Sequence, residues 1–189
     1  MNFDSPHNDD NNVWISVKTF FSQETKVSDY LKKHGTHHFI PTVVRYSTDK
    51  DGKRLSERVP AIHNLLFVRL DQGISQVKNI LDGCPYGIYV YRHPEQPQQW
   101  GLIPERDMRE LRLICDADYS DVEISEPQFI TSKESNIKVG RKVRVVRGAL
   151  MGVTGKLIRK NKKYYLVHTF GDLGVMVKVS RWCCESVEE

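Results

Sequence analysis

Apolar residues along the first 115 positions alternate between strand-like and helix-like spacing. Segments 13–20 and 64–70 are dense in β-branched, aliphatic and aromatic residues, which predicts two strands, the second of them central in its sheet. Helical spacing recurs in three places, and the apolar stripes are Val27, Tyr30, Leu31 and His34; Ile74, Val77, Ile80 and Leu81; and Met108, Leu111 and Ile114 or Cys115. The element order β-α-β-β-β-α-β-α predicts an α+β domain, an antiparallel sheet packed against helices.

Turn and cap residues place the boundaries of these elements. Ser22 is a suitable N-cap for the first helix, and Gly35 follows its apolar stripe where a left-handed residue ends a helix. Asp51-Gly52 is a hairpin signal between a predicted strand at 39–46 and its partner at 54–59.

The last third of the chain has a different pattern. Val143 and Val145 alternate with basic residues, and Gly148, Gly152 and Gly155 then punctuate a run of short predicted strands, which indicates a small SH3-like β-barrel. Residues 116–136 lack periodicity and are rich in acid and serine, so we expect a linker there. The predicted organisation is a disordered tail at 1–12, a first domain at 13–115, the linker at 116–136 and a barrel at 137–189.

Charge follows the same division. The net charge is +1 over residues 1–115, −5 over 116–136 and +8 over 137–189. From position 136 to 165 there are ten Lys or Arg and no Asp or Glu. Such a segment suits contact with nucleic acid or an acidic protein, and equally a solvated basic face.

Several classes of protein do not fit the sequence. No apolar run approaches a membrane span and no secretory signal is evident, so we expect a cytoplasmic protein. The cluster of His34, His37 and His38 lacks Cys, Asp or Glu at ligand spacing and indicates a polar surface, not a metal site. We find no phosphate-binding glycine loop and no nucleophile–base motif, so neither a cofactor nor an enzyme is expected.

Two groups of residues carry a resemblance to a known family. The region 137–163, with its basic strand and three glycines, resembles a KOW motif. The first domain adds Trp14, Glu24, Phe39-Ile40-Pro41, Ser56-Glu57-Arg58, Asn64–Val68 and Ile103-Pro104. Together they resemble NusG-family transcription elongation factors over positions 13–185. The run Ile62-His63-Asn64-Leu65 is similar to the specialised paralogues, with the UpxY-type antiterminators of capsule operons closest.

The resemblance implies a function in transcription. The first domain would bind the clamp of RNA polymerase, suppress pausing and premature termination, and act on selected polysaccharide operons. The implied polymerase-binding residues are Lys18, Ile62, His63, Asn64, Leu65 and Phe67. Strand alternation puts residues 65 and 67 on one face and 66 and 68 on the other, so one pair is expected in the core, which favours Ile62 and His63 for binding.

Other surfaces are implied for further partners. Lys32, Lys33 and His34 would contact non-template DNA, although cations at a helix C-terminus are also favoured by the helix dipole alone. On the KOW barrel, Phe170 would be an exposed aromatic that, with Thr169 and Asp172, binds a ribosomal protein or a termination factor. An alternative is an RNA-binding or ribosome-associated KOW protein that binds RNA, such as nascent RNA, through Lys160, Lys162 and Lys163.

Overall fold

Residues 12–117, 127–131, 140–171 and 173–187 are described in the computed structural model. Within them the first unit consists of β1 (Val13–Thr19), α1 (Glu24–Lys33), β2 (His38–Phe39), β3 (Thr42–Thr48), β4 (Arg54–Pro60), β5 (Leu65–Arg69), α2 (Ile74–Asp82), β6 (Ile88–Val90), β7 (Leu102–Pro104) and α3 (Glu105–Asp116). The second unit consists of β8 (Gln128–Thr131), β9 (Arg141–Val145), β10 (Thr154–Lys160), β11 (Lys163–Phe170), β12 (Leu173–Val179), a short 3-10 helix (Arg181–Cys183) and β13 (Cys184–Ser186). The predicted α+β class with antiparallel sheets is confirmed.

Strand β1 is the centre of the first sheet. It pairs with β5, β6 and β7, and β5 is internal because β2 pairs along its other edge. Ile15 and Val17 lie opposite Val68 and Leu66, and these four side chains form one buried cluster with apolar residues of α1 and α2. The helices therefore cover one face of this sheet, and the pair at 66 and 68 belongs to that core.

The predicted strand at 39–46 is divided between two sheets. Phe39 in β2 pairs with Phe67 of β5, whereas Thr42 begins β3 and pairs with Pro60 of β4 in a separate hairpin. Pro41 stands between them and has no N–H to continue a ladder, so the chain changes sheet there. The predicted tip of the hairpin is confirmed, with Gly52 at a φ of 79°.

The second unit is an antiparallel sheet in the order β13-β9-β10-β11-β12-β8. Gly155 on β10 allows this pairing, because a Cβ there would lie 2.5 Å from the carbonyl oxygen of Val167 on β11. Strand β8 falls inside the predicted linker 116–136, so part of that segment is a sheet strand. It pairs with β12, with Val175 opposite Phe129.

The two units share one hydrophobic core. Trp14, Leu65 and Phe67 on the second face of the first sheet cluster with α3 and with buried residues of the C-terminal sheet, including Leu166 and Phe170. The predicted buried face of α3 is confirmed, because Met108, Leu111, Ile114 and Cys115 all lie in this cluster. The C-terminal sheet is thus docked on the face of β5 that helices α1 and α2 leave uncovered.

Candidate partner-binding surface

The residues expected to bind a partner divide between exposed and buried positions. His63 is exposed, Ile62 and Asn64 are half-buried, and Leu65 and Phe67 are buried. Lys18 is exposed and lies opposite Leu65 across the β1–β5 ladder. The structure therefore brings Lys18 and His63 to one accessible end of the sheet and hides the strand that follows.

Asn64 organises this end of the sheet. It has a φ of 59°, a left-handed conformation that asparagine tolerates better than most residues. Its backbone N–H donates to the buried carboxylate of Glu24, and its Oδ1 accepts from the N–H of Ser22 at 2.8 Å. Its carbonyl accepts from the N–H of Thr19 at 2.9 Å. One residue thus ties the entrance of β5 to the loop between β1 and α1.

That tie overrides the predicted helix cap. Ser22 has a φ of 53°, and α1 begins at Glu24 with Gln23 at the N-cap and no side-chain cap hydrogen bond. The prediction that Ser22 caps the helix was wrong, because Gln23 occupies the N-cap position and Ser22 lies one residue earlier in a left-handed conformation, where its N–H donates to Asn64. A local cap pattern carries no information about such a contact.

The tied loop presents aromatic residues that the sequence reasoning missed. Phe21 is 89% exposed and Phe20 is 38% exposed, with the ammonium of Lys18 lying 5.5 Å from the ring centroid of Phe20. Two adjacent phenylalanines normally indicate core, so the sequence offered no signal for their exposure. Lys18, Phe20, Phe21 and His63 together form a surface that we call the loop face.

The buried part of the set lies beneath the C-terminal sheet. The ring of Phe67 packs edge-on against Phe170, with centroids 5.8 Å apart. Gly171 also lies against the first unit, because a Cβ there would be 3.0 Å from Cγ1 of Ile103. Leu65 and Phe67 are accessible to another protein only when this sheet moves away.

The expectation that Phe170 is an exposed loop residue was wrong. It is the last residue of β11 and has no exposed surface, because it fills the contact with Phe67. Thr169, on the opposite side of the strand, is exposed. Asp172 lies outside the described residues. Burial of Phe170 depends on docking between the units, which a pattern along the strand does not report.

A polar contact accompanies the apolar one. The carboxylate of Glu110 on α3 accepts from the backbone N–H of Thr154 at 2.8 Å and from its hydroxyl at 2.9 Å. His168 Nδ1 lies 3.1 Å from Glu110 Oε2 and 3.0 Å from the carbonyl of Thr154, and Nε2 lies 3.4 Å from the carbonyl of Asp107. We call Glu110, Thr154 and His168 the docking triad.

Within the docking triad, Glu110 and His168 each stabilise the charged form of the other. Burial alone would lower the pKa of His168, but the hydrogen bond and negative charge of Glu110 raise it overall. Burial would likewise raise the pKa of Glu110, but its bonds to His168 and Thr154 lower it overall. Both imidazole nitrogens face oxygen acceptors, which only the protonated ring can satisfy. The docked state therefore favours a His168 cation beside a Glu110 anion.

The residues expected to contact DNA lie elsewhere, at the end of α1. Lys32, Lys33 and His34 are all exposed there. The ring of His34 packs against the ring of Tyr30 at a tilt of 41°, with centroids 4.3 Å apart, and its Nδ1 is 2.9 Å from the Tyr30 carbonyl. His34 thus caps its own helix, while the two lysine side chains extend into solvent.

The described parts of the chain contain neither a metal-binding group nor a membrane-spanning helix. No group of three or more His, Cys, Asp or Glu there could hold a metal ion. In the histidine cluster, His37 contacts Asp71 and His38 Nε2 lies 2.7 Å from the Ser28 hydroxyl. Among the same residues, no helix is both long and apolar enough to cross a membrane.

Comparison with known proteins identifies the first unit. A family model described as transcription termination factor NusG matches residues 12–112. The match runs from the start of β1 into α3, and it includes the loop face and all of β5. A search of curated proteins found no match to this chain.

Proposed function

Because the chain belongs to the NusG family, whose members are non-enzymatic transcription factors that bind RNA polymerase, we propose that it is an elongation factor and antiterminator. It binds the polymerase clamp through the end of the first sheet and suppresses pausing and premature termination. The observation that carries this proposal is the family match over residues 12–112, from the start of β1 into α3. We expect it to act in the cytoplasm.

The loop face supports the proposal as the site of first contact. Phe21 is held in an exposed position by a loop whose backbone is fixed through Asn64, so that backbone loses little freedom on binding. Aromatic residues are favoured at the centres of protein interfaces. Lys18 and His63 flank it and supply polar contacts.

We assign the docked arrangement to a closed form of this factor. Leu65 and Phe67, implied to face polymerase, and Phe170, implied to face the second partner, cover each other. Neither partner can reach its residues until the units separate. The second unit then acts as the KOW barrel, and Phe170 with Thr169 and Asp172 recruits a ribosomal protein or a termination factor.

Action on polysaccharide operons is the finer part of the proposal and rests on the resemblance at residues 62–65. The non-template DNA strand would be contacted by Lys32 and Lys33. Replacing both by Gln should weaken binding to a paused complex with exposed non-template DNA, whereas Lys26→Gln, an exposed position on the same helix, should not. Equal losses of binding for the two variants would refute the assignment of Lys32 and Lys33 to DNA contact.

A transcription assay tests the main proposal. On a template with a terminator, the full chain should raise read-through and bind polymerase, and Phe21→Ala should reduce the affinity about tenfold. Ile74→Ala, which also shortens an exposed apolar side chain but lies on α2, is the matched control. Because docking covers β5, both variants are also measured with Glu110→Ala to open the units. Absence of polymerase binding in that open background would refute the proposal.

The alternative, an RNA-binding KOW protein, predicts that activity resides in the C-terminal sheet. The family match lies over the first unit, which favours the polymerase-binding function. Lys160, Lys162 and Lys163 are all exposed at the β10–β11 turn, as that alternative requires. Loss of read-through activity on replacing these three by Gln, with polymerase affinity unchanged, would favour it.

A further inference from the structure

A groove on the C-terminal sheet remains open while the two units are docked. It has a volume of about 540 Å³ and lies where the β9–β10 turn, the start of β11, the end of β12 and the 3-10 helix meet. Four cationic and two aromatic side chains line it: Arg147, Lys163, Lys178, Arg181, Tyr164 and Trp182. No acidic residue is among its lining residues. We call it the basic groove.

Trp182 is the most informative residue of this groove. Its side chain is 88% exposed, the highest exposure among the described tryptophans. The segment that carries it is nevertheless fixed, because the N–H of Val146 donates to the carbonyl of Cys183 at 2.8 Å and the N–H of Cys183 donates to the carbonyl of Ser180 at 3.1 Å. An indole held in water on an anchored backbone gains nothing from folding, which points to a ligand.

The remaining residues of the groove divide between charge and apolar surface. Arg147, Lys163 and Arg181 are exposed and Lys178 is half-buried. Val145, Leu150 and Val179 supply apolar lining beneath them. Tyr164 lies opposite Val179 across the β11–β12 ladder, so one aromatic side chain comes from the sheet and the other from the 3-10 helix.

We propose that the basic groove binds single-stranded RNA, with bases stacked on Trp182 and Tyr164 and phosphates held by the four cations. Single strands offer both the flat π-surface that an exposed indole can stack on and the repeated negative charge that a ring of cations attracts. Duplex RNA hides its bases, and an acidic peptide supplies charge without a partner for the indole. The groove is distinct from the loop face and from the lysines at the end of α1, and it requires neither polymerase nor separation of the units.

Titration of the full chain with a fluorescein-labelled, unstructured 12-nucleotide RNA, read by fluorescence anisotropy, tests the proposal. Trp182→Ala should weaken binding about tenfold, and Trp182→Phe should restore most of the affinity because it keeps a stacking surface. Arg181→Gln should lower the slope of log affinity against log salt by about 0.7, the value for one lost phosphate contact with a single strand.

Control variants separate the groove from a general basic surface. Lys142→Gln removes an exposed cation of the same sheet that does not line the groove, so it should change the affinity by less than twofold. If Lys142→Gln matches Arg181→Gln and Trp182→Ala has no effect, RNA binds by general attraction and the proposal is refuted. Duplex RNA should bind more weakly than the single strand. A glutamate-rich peptide that displaces RNA and binds with the same dependence on Trp182 would make the groove a peptide site instead.

Discussion

The docking triad predicts that contact between the two units depends on pH. His168 has a raised pKa in the docked state, so the stabilisation from its charge is complete below its ordinary pKa of 6.5 and is lost as the pH rises through the docked value. Glu110 has a lowered pKa, so its stabilisation is present above its ordinary value of 4.5 and is lost as the pH falls through the docked value. Docking should therefore be strongest between these two ordinary values and should weaken on the alkaline side.

The size of the pH effect on docking follows from the proton on His168 and from the three hydrogen bonds that Glu110 accepts, one from His168 and two from Thr154. Between the free and docked pKa values of His168, each pH unit weakens docking by up to tenfold, or about 1.4 kcal/mol. Glu110→Gln removes the charge that holds the proton on His168 and weakens both bonds from Thr154. Hydrogen bonds to charged groups contribute about 1.5–3 kcal/mol each. Since the glutamine oxygen can still accept from Thr154, we expect a loss of about 2–3 kcal/mol, or roughly 30- to 150-fold.

NMR spectroscopy of the full chain measures both quantities. Long-range ¹H–¹⁵N spectra of the imidazole report the pKa of His168, and the Thr154 amide signal reports the docked fraction between pH 5 and 9. Glu95→Gln, at an exposed loop position, is the control and should leave the Thr154 signal unchanged. The nearby charge of Asp107 also raises the pKa of His168, so some elevation should persist in Glu110→Gln. A His168 that titrates at 6.5 or below in the docked chain would refute this reasoning.

Three further predictions concern the stability of the folded chain and can be measured by denaturant unfolding. Asn64→Ala loses the bond to Ser22 and retains the left-handed backbone, so it should cost about 1–2 kcal/mol, and Asn64→Gly should cost less because glycine adopts that conformation freely. Gly155→Ala should destabilise the protein by about 3 kcal/mol, whereas Gly148→Ala, with φ of 85° and no neighbour within 4 Å, should cost about 1 kcal/mol. Phe67→Ala and Phe170→Ala should each cost about 3–5 kcal/mol, and a double-mutant cycle should give a coupling of about 0.5–1.5 kcal/mol.

Predictions based on local periodicity agree with the structure in part: Val27, Leu31, Val77 and Leu81 of the predicted stripes on α1 and α2 are buried, whereas His34 and Ile74 are exposed. The stripe on α3 is buried as spaced, and strand alternation correctly separated residues 65 and 67 from 66 and 68. The expectation that only one of these pairs would be buried assumed a single covering layer. Both pairs are buried because α1 and α2 cover one face and the C-terminal sheet covers the other.

The features that sequence reasoning missed all depend on contacts between distant residues. Strand β8 has the composition of a linker and becomes a strand through β12, with Val175 opposite Phe129. Ser22 is drawn out of the cap position by Asn64, which is 42 residues away in the chain. Phe170 is buried by the first unit, which precedes it in the sequence. Local propensity does not determine these outcomes, because tertiary contacts override it.

The distribution of exposed side chains in the docked form indicates an order of binding events. Phe21 and His63 are accessible while Leu65 and Phe67 are not, so polymerase can contact the loop face before the C-terminal sheet moves. A partner shifts a closed form only by the difference between its affinities for the open and closed forms. The loop face, available in both forms, therefore supplies affinity without favouring opening. Leu65 and Phe67, available only in the open form, supply the bias. Phe21→Ala should thus weaken binding equally in the wild-type and Glu110→Ala backgrounds, whereas polymerase should bind the Glu110→Ala background more tightly by the factor that docking had cost.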